Sequence, residues 1–112
     1  DIIVSLNYSF SKKINELQKL GLYDVILDPG FGFGKTIEDQ YKMIDEVQHI
    51  GFGKFPLLIG ISRKSFIYKP LGKHPTEINE ETQNLHRKVL EKGAKILRVH
   101  DVAETRNLVG EL

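Results

Sequence analysis

The 112-residue chain has no cysteine, no tryptophan, one methionine and only four prolines. Without cysteine it can form neither disulfides nor thiolate metal sites, and a reducing compartment, by default the cytoplasm, is the expected location. Charge of one sign is also missing, since 16 basic residues face 15 acidic ones for a formal net charge of +1. So small a net field recruits neither nucleic acid nor an anionic membrane, and any phosphate affinity has to be built locally. There is no long apolar run. The longest, Phe55 to Ile61, is broken by Pro56 and Gly60 and falls far short of the roughly 20 residues that span a bilayer. The chain opens on Asp1 with no basic stretch and apolar run before a cleavage site. No secretory signal is therefore expected, and the sequence reads as a processed or excised piece.

Helical periodicity appears first. Ile3, Leu6, Phe10, Ile14 and Leu17 recur at spacings of three and four, the stripe of an amphipathic helix starting near Asp1 and stopped by Gly21. Tyr23 to Leu27 is a short apolar run ending in Asp28-Pro29-Gly30, the pattern of a buried strand and a loop. Thr36 and Asp39 are spaced as a capping box, and Ile37, Tyr41, Ile44 and Val47 mark the core face of a second helix ending before Gly51. Pro56 to Ser62 reads as a second strand, and Tyr68 to Pro75, with two prolines and a glycine, as a loop. A third helix runs from Ile78 to Gly93 with Leu85, Val89 and Leu90 inward and most of its surface wet. Lys95 to His100 is the third strand, and Asp101 with Glu104 reads as the cap of a last helix from Val102. Alternating helices and strands imply an α/β layer of parallel strands joined by right-handed crossovers.

Each expected strand ends in charged groups, and in a parallel sheet all three ends lie on one side, where α/β folds bind ligands. After the first strand comes Asp28 and a loop in which Gly30, Gly32 and Gly34 alternate with Phe31 and Phe33. After the second comes Ser62-Arg63-Lys64-Ser65, two cations and two hydroxyls suited to phosphate or carboxylate. The third carries Arg98 and His100, two residues apart and so on one face of the strand. Gly34-Lys35-Thr36 matches the end of a phosphate-binding P-loop. That pattern needs a glycine five positions before Gly34, where Pro29 stands, and the backbone cradle depends on that spacing. His49, His74 and His86 read as surface residues, and no grouping has metal-ligand spacing.

Leu27-Asp28-Pro29-Gly30-Phe31-Gly32-Phe33-Gly34-Lys35, Gly60-Ile61-Ser62-Arg63-Lys64-Ser65 and Leu97-Arg98-Val99-His100-Asp101-Val102 resemble, in order, three signatures of the dihydropteroate synthases. The resemblance covers nearly the whole chain. It implies a TIM (β/α)₈ barrel, of which residues 1–112 would supply about strands six to eight with their helices. It also implies a transferase of folate biosynthesis that condenses 6-hydroxymethyl-7,8-dihydropterin pyrophosphate with p-aminobenzoate, releases pyrophosphate, and is a target of sulfonamides. Carried onto this sequence, Asp28, Lys64 and Arg98 would hold the pterin, and Arg98 and His100 the pyrophosphate. Phe33 and Ser65 would border the p-aminobenzoate, and Lys64, Arg98 and His100 would be the catalytic set. Family members use Mg²⁺, whose ligand lies in an N-terminal region this chain does not contain.

Two further classes compete with that enzyme, namely a P-loop-like nucleotide-binding module and a structural fragment with a vestigial pterin pocket. The resemblance implies small-molecule partners only, with neither nucleic acid nor membrane. The helix that forms the family's dimer is usually apolar, whereas here it carries Glu80, Glu81, His86, Arg87, Lys88 and Glu91. Self-association is therefore expected through open sheet edges or the inner face, where alternation places Ile26, Leu58 and Ile96.

Overall fold

A computed structural model describes the whole chain, Asp1–Leu112. Helix α1 (Ile2–Lys19) begins where expected, because the Asp1 carboxylate accepts the Ile3 N–H at 2.7 Å. Its buried stripe holds Ile3 and Ile14, with Leu6 and Phe10 packed partly against the core. Asn7 ties α1 to the turn after the second helix: its amide donates to the His49 carbonyl at 2.8 Å and its oxygen accepts the Gly51 N–H at 2.7 Å. Gly51 needs its φ of 81° for that turn, and a Cβ there would stand 3.1 Å from Leu27.

Helix α2 (Ile37–Asp45) opens with the expected capping box, in which Thr36 Oγ accepts the Asp39 N–H at 2.9 Å and Asp39 accepts the Thr36 N–H at 3.3 Å. A 3₁₀ turn, Val47–His49, follows. Helix α1 packs on α2, α2 on α4 (Asn79–Glu91), and α4 on α5 (Val102–Gly110), so the helices line one side of the sheet. Leu27, Leu57, Ile59 and Ile61 meet them in a core of 16 buried apolar residues.

The sheet is smaller than the sequence suggests. Strands β1 (Leu58–Ile59) and β2 (Ile96–Leu97) pair in parallel, Leu58 opposite Ile96 and Ile59 opposite Leu97. The expected strand over 23–27 shrinks to one parallel bridge, Leu27 opposite Leu57, with hydrogen bonds of 2.9 and 2.8 Å to either side of it. A ladder is cooperative, and this segment has a neighbour on one side only. Its outer residues Tyr23 and Ile26 stay exposed, at 63% and 54%. The expected spans 56–62 and 95–100 likewise keep only their central pairs in ladder geometry.

Three other expectations are corrected. Residues 65–71, half assigned to a loop because of Pro70, form helix α3 (Ser65–Leu71), which buries Phe66 and Ile67 and stops at left-handed Gly72. Pro70 lies near its end, so the bond it cannot donate costs only one rung of a short helix. The Asp101 side chain does not cap α5; its carboxylate is taken by Arg63 at 3.2 Å. His86 is no surface residue but fully buried, because Thr82, His86 and Val89 form the inner stripe of α4. Pro75–Glu77 is a short 3₁₀ turn, and no helix is long and apolar enough to cross a membrane.

His86 Nδ1 lies 3.0 Å from Gln83 Oε1, Gln83 Nε2 bonds Thr105 Oγ1 at 2.9 Å, and His86 Nε2 has no partner. Burial lowers the imidazole pKa to about 4, so the native ring is neutral where an unfolded histidine takes up a proton near 6.5. This contribution is complete above about pH 6.5 and is lost as pH falls towards about 4. Urea unfolding should show the chain losing about 2 to 3 kcal/mol more than a His86→Gln variant between pH 7 and pH 4.5. Parallel pH profiles for the two proteins would show that His86 is not a buried neutral ring.

Candidate functional site

The glycine-rich loop after Leu27 is held by one of its two aromatics. Phe31 is buried and stacks on Phe66 of α3 with centroids 5.6 Å apart, and Tyr41 of α2 meets Phe66 edge-on at 5.2 Å. Phe33, two residues on, is 90% exposed. The Lys64 Nζ sits 5.9 Å from the Phe33 ring centroid, a spacing at which the ammonium is attracted to the ring face. Ser65 follows Lys64 as the first residue of α3 and is half-buried.

Asp28 and Arg98 meet across the strand ends. Arg98 Nη1 donates to Asp28 Oδ2 at 2.8 Å, and the Gly30 N–H donates to Asp28 Oδ1 at 3.0 Å. Arg98 reaches that position by lying against Gly60, since a Cβ on Gly60 would fall 2.4 Å from Nη2 and 2.7 Å from Cζ. Glycine at a strand end can mark such a close approach, and the sequence carries that signal at Gly60, directly after β1.

His100 is oriented by Ser62, the first hydroxyl of the Ser62-Arg63-Lys64-Ser65 cluster. Buried Ser62 accepts the His100 backbone N–H at 3.2 Å, and its Oγ lies 2.9 Å from His100 Nδ1. With that N–H filling one acceptor position, the hydroxyl proton is free to bond Nδ1. A neutral ring that accepts this proton at Nδ1 carries its own on Nε2, whereas one that donates from Nδ1 to the second hydroxyl lone pair leaves Nε2 bare, and the spacing fits both.

Lys64, Arg98 and His100 line one cavity of about 280 Å³ with Gly60, Ser62 and Val99. The structure thus brings these three together, joins Asp28 through Arg98, sets Phe33 beside Lys64, and gives Ser65 no side-chain hydrogen bond. A larger groove, about 400 Å³, lies between α1 and Phe52–Phe55, but its only ionisable residue is Lys54. It holds no convergent set of groups. No cluster of three or more His, Asp or Glu side chains is placed to hold a metal ion.

A methyl group on Gly60 must push Arg98 off its seat. Gly60→Ala should leave the fold intact and change stability by less than about 1 kcal/mol, as for an exposed ion pair. It should also break the Arg98–Asp28 contact, which a shifted Arg98 Nε–H resonance would report. An unmoved resonance would mean that Gly60 does not seat Arg98.

Residues 1–100 match the family described as "pterin binding enzyme". The bifunctional dihydropteroate synthase/dihydropteroate reductase of Helicobacter pylori is 40% identical over 100 residues, which is 89% of this chain and 26% of that protein. Among solved structures, the Xanthomonas albilineans dihydropteroate synthase with 4-aminobenzoic acid has a TM-score of 0.92 and 29% identity, covering 99% of this chain and 44% of that one. The Thermus thermophilus dihydropteroate synthase in complex with 6HMPPP gives 0.92 and 30%, covering 99% and 45%. The chain therefore spans between 26% and 45% of the length of these relatives. These matches do not favour the nucleotide-binding alternative. From its motifs, its fold and these matches, the chain belongs to the pterin-binding enzyme family.

Proposed function

We propose that this chain is the pterin- and pyrophosphate-binding region of a dihydropteroate synthase. The whole enzyme would join 6-hydroxymethyl-7,8-dihydropterin pyrophosphate to p-aminobenzoate and release pyrophosphate. The observation that carries the proposal is the convergence of Lys64, Arg98 and His100 on one cavity, with Asp28 bonded to Arg98 at its rim. Support comes from the ligands of the similar structures, 4-aminobenzoic acid in one and 6HMPPP in another. In barrel terms the chain would be one partial domain, residues 1–112, holding strands six to eight with their helices. The absence of cysteine fits a cytoplasmic enzyme.

The chemistry is substitution at the exocyclic methylene. The carbon–oxygen bond to pyrophosphate breaks, its electron pair leaves with the pyrophosphate, and the arylamine nitrogen forms the new bond and loses a proton. Asp28 would accept the pterin amino and ring N–H groups, for which each carboxylate oxygen retains a lone pair beside its present bond. Lys64 would contact the pterin carbonyl and ring nitrogen. Arg98 and His100 would meet charge growing on the departing pyrophosphate, the preorganised electrostatic contribution that usually dominates catalysis. Phe33 and Ser65 would border the p-aminobenzoate, where sulfonamides would compete. The chain offers no set of three or more His, Asp or Glu side chains to hold a Mg²⁺.

Asp28→Asn should weaken binding of the pterin pyrophosphate by about 1.5 to 3 kcal/mol, the range for a hydrogen bond to a charged group. In calorimetric titrations of both variants, Arg98→Ala should cost the pyrophosphate ester far more affinity than the bare hydroxymethyl pterin. Equal losses for the two ligands, or unchanged affinity in Asp28→Asn, would remove these residues from their roles.

The isolated chain leaves strand edges open at residues 23–27 and at β2 and exposes Ile26 on the face away from the helices. Unpaired strand groups and bare apolar side chains both favour association, the latter by roughly 25 cal/mol per Å² buried. Sedimentation equilibrium at micromolar concentration should therefore show self-association, and a product assay no dihydropteroate. A stable monomer would refute the first expectation, and turnover the second.

A further inference from the structure

Beyond the last backbone rung of the sheet, the register of β1 and β2 continues in side chains. Leu58 pairs with Ile96 and Ile59 with Leu97, and the Arg98 N–H donates to the Ile59 carbonyl at 3.1 Å. Past Gly60 no backbone bond joins the two segments. Instead, Ser62 bonds His100 and Arg63 Nη2 bonds Asp101 Oδ1 at 3.2 Å, both pairs separated by the same 38 residues. These are two successive rungs of side chains, laid where the ladder would have run had the strands gone on.

The second rung is built at visible expense. Arg63 has a φ of 58° and is the only residue other than glycine in the left-handed region. A bulky side chain persists there only when its surroundings over-determine it, and such strain gathers at functional sites. Its Nε is buried without a partner, a donor left unsatisfied at a cost a purely stabilising contact would avoid. Asp101 stands at the N-terminus of α5, where its carboxylate could cap the helix, yet it caps nothing and faces Arg63. Both side chains are partly withdrawn from solvent, at 36% and 28% exposure. Lys64 follows Arg63 in the chain, and His100 precedes Asp101.

We propose that Arg63 is a positioning residue: its ion pair with Asp101 latches the turn after β1 to the turn after β2 and so sets Lys64 and His100 at a fixed separation. This rests on the proposed pyrophosphate role of His100 for its functional meaning, but the latch is a geometric statement that can be read without any ligand. Arg63 itself needs no contact with substrate. It acts through the neighbours it holds.

Arg63→Gly removes the guanidinium while relieving the left-handed backbone, so loss of stability is not the expected outcome. Two measurements on Arg63→Gly, Asp101→Asn and the double variant test the latch. In NMR spectra the His100 ring signals should shift and broaden in Arg63→Gly, move similarly in Asp101→Asn, and change no further in the double variant. The Kd for inorganic pyrophosphate should rise about tenfold in each single variant and by no more in the double one, as for two residues acting as a unit. Arg63→Lys, which keeps the charge, should recover part of the affinity. If the parent fails to bind pyrophosphate while the ring signals still respond, the proposed pyrophosphate role falls and the latch stands. Parent-like His100 signals in Arg63→Gly, or effects of the two substitutions that add independently, would overturn the latch.

Discussion

Two backbone rungs hold β1 to β2, and the end of the molecule that carries Lys64, Arg98 and His100 depends on how the chain keeps register beyond them. The ladder stops before Gly60, and Gly60 serves as a seat for Arg98, whose guanidinium lies where any larger residue would place a Cβ. The separation of the two turns is handed to side chains, first Ser62 with His100 and then Arg63 with Asp101. Lys64, Arg98 and His100 line one cavity beside these side-chain rungs.

A similar division governs the glycine-rich loop. Phe31 gives up its freedom to stack on Phe66, and the hydrophobic gain fixes the loop against α3. Phe33 remains in solvent two residues away, beside Lys64. Because α3 begins at Ser65, the helix that anchors Phe31 also fixes where Lys64 leaves the strand end. The loop and the basic turn are thus one packed unit rather than two flexible segments.

Much of this was legible in the residues. The stripe of α1, the Thr36–Asp39 capping box and the charged strand ends all appear where spacing puts them, since each depends on local periodicity. The strands were overextended because an apolar run signals burial, whereas ladder pairing requires a partner that residues 23–26 lack. Helix α3 was partly hidden by Pro70, which breaks helices in the middle but is tolerated in a seven-residue turn ending at Gly72. His86 is hidden from sequence reasoning because the inner stripe of α4 is made of Thr82, His86 and Val89, of which the first two are types that suggest surface. Neither the Ser62–His100 bond nor the Arg63–Asp101 pair has a local signature. Both span 38 residues and exist only through the register of the sheet.

The proposed ligand is dipolar in the sense this site requires. Its ring edge offers N–H donors and its tail carries the anion, while the free protein stores a carboxylate and a guanidinium against each other at the rim. Their side chains are 37% and 58% exposed, and an ion pair in such a setting is worth only about 0 to 1 kcal/mol. Giving up part of it in exchange for ligand bonds therefore costs little. A buried pair of the same geometry would resist, because separating desolvated charges leaves each uncompensated. In the proposed complex Asp28 would turn towards the donors and Arg98 towards the anion, so that each charge would exchange a weak, exposed partner for a bond to the ligand. In the proposed reaction, the exposed ion pair at the rim is thus a resting arrangement of the binding groups rather than a contributor to stability.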